Sequence, residues 1–76
     1  MDKLKLTQVA ALTIPIGGQR IDLQQVDYAI DDAMSLLRLR IREGSRFTIF
    51  DIDPASAREL GQVLIDWAEG QPGGGR

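Results

Sequence analysis

Arg38, Arg40 and Arg42, at alternate positions and followed by Phe47, are the side chains of this chain whose types and spacing come nearest to a chemistry. On a strand they would stand ~6.6 Å apart along one face, near the phosphate spacing of nucleic acid. Phe47 on the same face could stack a base. The competing reading is ion pairing. If the preceding segment is a strand, hairpin parity places Asp27 and Asp31 on the arginine face, with Asp51 on the other flank. The arginines would then form cross-strand ion pairs, and this reading is preferred.

The other candidates are weaker. Asp22, Asp27, Asp31 and Asp32 lack the glycine-bearing loop and distal glutamate of a calcium site. Asp51 and Asp53 suggest paired catalytic carboxylates, but Asp53 is explained as a helix cap. Ser35, Ser45 and Ser56 have no imidazole to activate them, because the chain contains no histidine. It contains no cysteine either, so there is no thiolate metal site or disulfide, and a cytosolic compartment is expected. No cofactor is expected and the chain reads as a non-enzyme. The Gly73-Gly74-Gly75 run suggests a ubiquitin-like tail, but that fold places its helix between hairpins rather than last. A net charge of −2 disfavours non-specific binding to nucleic acid or anionic membrane. No apolar run approaches the ~20 residues of a membrane helix. Val9 to Ile16 is short, follows Asp2 and contains Pro15, which argues against a signal peptide.

The elements that position these residues follow from periodicity. Leu37, Leu39 and Ile41 alternate with the arginines, and Phe47 to Ile52 is a second alternating run. Gly44-Ser45 between them is a two-residue hairpin loop. The register then sets Ile41 against Thr48, Leu39 against Phe50 and Arg38 against Asp51. Upstream, Leu4, Leu6, Leu12, Ile14 and Ile16 share a parity that predicts an edge strand with a weak spot at Ala10-Ala11. Gly17-Gly18 predicts a tight turn pairing Ile14 with Ile21 and Leu12 with Leu23. Asp53-Pro54 is a helix start, Ala57, Leu60, Leu64 and Trp67 form an apolar stripe, and Gly70 ends it. Gly61 lies on that stripe and suggests close approach of helix to sheet.

Asp22 to Ser35 reads two ways. As a helix it has a capping box at Asp22 and Gln25 and a stripe through Leu23, Val26, Ile30 and Ala33. As a strand it alternates through Ile21 and Leu23, shifts phase at a bulge near Gln24-Gln25, and resumes at Val26, Tyr28 and Ile30. Local propensity favours the helix.

The run LLRLRIREGSRFTIFDIDPASA, followed by a tryptophan-bearing helix, resembles a family of small uncharacterised proteobacterial proteins with an arginine-rich hairpin and an Asp-Pro-capped C-terminal helix. The likeness spans roughly Arg20 to Trp67. It implies strand for the ambiguous segment, with a short turn at Ile30 to Met34, where this chain carries Asp31-Asp32-Ala33 in place of glycines. It implies nothing about chemistry.

The expectation is therefore an α+β domain over residues 1–70, a four-stranded antiparallel meander with one C-terminal helix packed on one face, and a flexible glycine-rich tail over 71–76. With Leu4, Leu6, Ile14, Leu39 and Phe50 under the helix, Val9, Phe47 and Ile49 remain on the open face. A chain this small has little stability to spare. The predicted role is a self-associating or protein-interaction module, a homodimer with Arg38, Arg40, Arg42, Phe47 and Ile49 as the candidate interface. The alternative is polyanion binding through the arginine face.

Overall fold

The computed structural model describes residues 4–28 and 34–74. Strands β1 (Leu4–Ile14), β2 (Gln19–Tyr28), β3 (Met34–Glu43) and β4 (Arg46–Ile52) precede one helix, α1 (Pro54–Glu69). The strands form a single antiparallel sheet in the order β1-β2-β3-β4, so the fold is the α+β meander with a C-terminal helix. The ambiguous segment is strand as far as Tyr28. The turn assigned to Ile30, Asp31, Asp32 and Ala33 lies outside the described residues.

The β3–β4 hairpin has the register that its alternation dictates: Ile41 opposite Thr48, Leu39 opposite Phe50, Arg38 opposite Asp51. Gly44 supplies the positive φ of its two-residue loop. The first hairpin differs from expectation. Ile14 pairs with Gln19 and Leu12 with Ile21, leaving a four-residue loop, Pro15 to Gly18, closed by the Gly18 amide donating to the Ile14 carbonyl at 2.7 Å. The shorter loop would have put Pro15, which has no N–H, inside the ladder. Ile16 consequently sits exposed at the loop tip.

The bulge also falls elsewhere. Strand β2 runs unbroken through Gln24 and Gln25, and the irregularity is in β1, where Val9 is the extra residue between Gln8 and Ala10. The phase change in β2 has another cause: its two halves feed apolar clusters on opposite faces. One face carries Leu4, Leu6, Val26, Tyr28 and Leu36 at one end and the arginines at the other. The opposite, aliphatic face carries Leu12, Ile14, Ile21, Leu23, Leu37, Leu39, Ile41, Phe50 and Ile52. Leu4 and Leu6 therefore lie on the arginine face rather than with Ile14, Leu39 and Phe50, because the Val9 bulge inverts the parity of β1.

Helix α1 begins as its sequence requires. The Asp53 carboxylate accepts from the Ser56 amide at 3.3 Å, Pro54 occupies the first turn, and Gly70 follows the last. Gln71 to Gly74 form a turn in which the Gly74 amide donates to the Gln71 carbonyl. The helix touches β3 near its own start, where Gln25, Ser35, Leu37, Pro54, Ala57 and Arg58 line an open cleft of about 470 Å³. It does not lie over the sheet. Leu60, Val63, Leu64 and Trp67 are all exposed, and a side chain at Gly61 would meet nothing within 4 Å, so that glycine serves no close approach to the sheet of its own chain.

The result is open for its size. Among the described residues only Val26 is fully buried. The radius of gyration is 14.8 Å, against about 11 Å for a compact chain of this length. The accessible surface is 5843 Å² for 8.4 kDa, about 1,200 Å² more than a compact monomer of that mass exposes.

Candidate functional site

The sheet positions every residue of the candidate interface on one face. Arg38, Arg40 and Arg42 project from β3, with Phe47 and Ile49 beside them on β4 and Arg20, Asp22 and Gln24 beside them on β2. Arg38 and Asp51, directly opposite, form a two-pronged pair with Nε–Oδ1 at 2.8 Å and Nη2–Oδ2 at 3.1 Å. The hydrogen bond from Arg38 holds the Asp51 carboxyl below its usual pKa, and the same bond raises the guanidinium of Arg38.

The second acid is Asp22 rather than Asp27. With no bulge in β2, even-numbered residues face the arginines. Asp22 is shared between Arg20 at 3.3 Å and Arg40 at 3.5 Å. Desolvation pushes its carboxyl up, but hydrogen bonds from Gln8 and Arg20, with the charges of Arg20 and Arg40, outweigh this and hold it below the ordinary value. Asp27 is on the aliphatic face, where it accepts from the Ser35 hydroxyl and the Gln25 amide, and these bonds lower its pKa. The proposed neutralisation by Asp31 lies outside the described residues. Sequence reasoning missed Asp22 because it placed a bulge between that residue and the rest of β2.

Arg40 lies over the Phe47 ring, its guanidinium carbon 4.4 Å from the centroid. That ring is thus already stacked within the chain. Arg42 stands opposite Arg20 and Phe47, and among the described residues no carboxylate lies within 4 Å of it. The acids suggested as catalytic or metal-binding are dispersed: Asp22 and Asp27 on opposite faces, Asp51 in an ion pair, Asp53 capping α1. Among the described residues, no group of three acids, histidines or cysteines could hold a metal, and no helix is long and apolar enough to cross a membrane.

A larger feature went unread in the sequence: the α1 stripe and the aliphatic face of the sheet are both uncovered. Trp67 is 68% exposed and Leu64 60%, more than Phe47 at 47% or Ile49 at 52%. The stripe itself was visible as a helical repeat. Periodicity shows that a helix has an apolar side but not which surface covers it.

Fold and site together define a small α+β meander with a charged sheet face and an apolar helix left open to contact. The chain belongs to a family of unknown function, DUF6967, whose model matches residues 3–70. No curated protein and no solved structure matches it.

Proposed function

We propose that the protein is a non-enzymatic, self-associating interaction module that works as a homodimer. The observation that carries this reading is the excess of exposed surface, about 1,200 Å² per chain relative to a compact monomer. Two copies that each withdrew this area from water would bury about 2,400 Å², within the range of obligate homodimers and above that of transient contacts. The single chain holds both apolar layers of an α/β sandwich, a sheet face and a helix stripe, without bringing them together. Phe47 and Ile49 are the lesser part of the contact, since Phe47 already stacks on Arg40. A cysteine-free chain suits the reducing cytoplasm, where we place it.

Size-exclusion chromatography with light scattering tests the reading. The expected mass is twice 8.4 kDa; a chain that stays at 8.4 kDa at high micromolar concentration overturns it.

Polyanion binding has one observation in its favour: Arg42 stands opposite Arg20, with no carboxylate within 4 Å of it among the described residues. Against it, Asp22 and Asp51 engage Arg20, Arg38 and Arg40. A DNA or RNA oligomer at physiological salt is expected to show no binding. Micromolar affinity with a steep salt slope, lost on Arg42→Ala, would establish the alternative.

A further inference from the structure

We infer that the second copy docks on α1 itself: the helices of two chains pair antiparallel about a two-fold axis near Gln62, and each Trp67 enters the cleft at the start of the other chain's helix. The inference rests on the self-association reading and assigns its geometry.

The stripe is self-complementary in one direction. Ala57, Leu60, Leu64 and Trp67 recur at intervals of three and four, the spacing of a helix–helix seam. In an antiparallel pair centred at Gln62, Leu60 meets Leu64 of the other copy and Ala57 meets Trp67. Large side chains thereby oppose small ones at both ends, and each contact is reciprocal, as an isologous interface requires. A parallel pair would set Trp67 on Trp67 and leave Ala57 on Ala57, with a gap at one end and crowding at the other.

Two further features agree with this arrangement. Ala57 forms a wall of the open cleft, which also has Leu37 and Pro54 as apolar lining and Gln25, Ser35 and Arg58 as polar groups. An indole placed opposite Ala57 finds apolar contact there and polar groups for its N–H. The space around Gly61 is open, so a neighbouring helix can approach its backbone.

Cysteine cross-linking tests the geometry, because the chain has no cysteine of its own. Ala57→Cys and Ala68→Cys variants are purified separately, mixed in equal amounts, allowed to exchange, and oxidised. The antiparallel pair brings position 57 of one chain beside 68 of the other, whereas like positions stand about 15–18 Å apart along the axis. A disulfide needs Cα atoms within ~7 Å. The expected product is the 57–68 heterodimer, at least tenfold over either disulfide-linked homodimer. Homodimeric disulfides in the separate variants, or no cross-link in a sample that light scattering shows to be dimeric, overturn this geometry and leave self-association standing. A monomeric mass overturns both.

Discussion

Leu64 is where the account can be tested by a single substitution. It is 60% exposed in the chain, at the centre of the stripe. Fully burying a leucine is worth about 1.5–3 kcal/mol, so covering its open portion contributes about 1–2 kcal/mol per copy, or about 2–4 kcal/mol per dimer. At 1.4 kcal/mol per tenfold, losing that term raises the dissociation constant about 30- to 700-fold. Leu64→Asp also brings a carboxylate into the contact from each chain, so the lower figure is a floor. Sedimentation velocity across a dilution series reads the constant, with far-ultraviolet circular dichroism on the same samples. The helix signal should survive in the monomeric variant, because little of the chain packs on Leu64. A dissociation constant within threefold of the unmodified protein would refute the assignment of the α1 stripe as the contact.

Further outcomes follow from other residues. Gly61→Leu should leave the helix intact, since the position is open within the chain, yet weaken association at least tenfold by blocking the partner helix. Asp53→Ala removes the side-chain acceptor for the Ser56 amide and should lower helix content, read by circular dichroism. The carboxyls of Asp22, Asp27, Asp51 and Asp53 are all held below the ordinary aspartate value of about 3.9. Their contribution to stability is therefore complete above that pH and is lost as pH falls through the lower folded values. Thermal melts should hold steady from neutrality to about pH 5 and fall below about pH 4; a melting temperature that rises on acidification would contradict the ion-pair assignments.

The parts of the fold legible in the sequence were those fixed by local rules. Gly44-Ser45 fixed a loop, and alternation on both sides left one register that kept Leu39 opposite Phe50 and Arg38 opposite Asp51. Asp53-Pro54 likewise marked the helix start. Where two physical causes produce one pattern, the pattern could not choose. The phase change between Leu23 and Val26 can come from a bulge or from a strand that serves apolar clusters on both its faces, and it is the second. That one difference moved Asp22 onto the arginine face and Asp27 off it. The bulge at Val9 in β1 showed only as a weak spot at the neighbouring Ala10-Ala11, since apolar side chains on both sides of it kept the alternation looking continuous. The coverage of α1 was illegible for a third reason: the same stripe would serve a sheet of its own chain or a second chain.

The most direct test of the central claim, that another copy covers the α1 stripe, is the emission of Trp67 measured alongside molar mass on dilution. It is the sole tryptophan of the chain and 68% exposed in the isolated fold. Where the mass is twice that of the chain, the account predicts a blue-shifted emission that is poorly quenched by acrylamide, moving to that of an exposed indole as the mass halves. Exposed-indole emission with unhindered quenching in the associated form would contradict it.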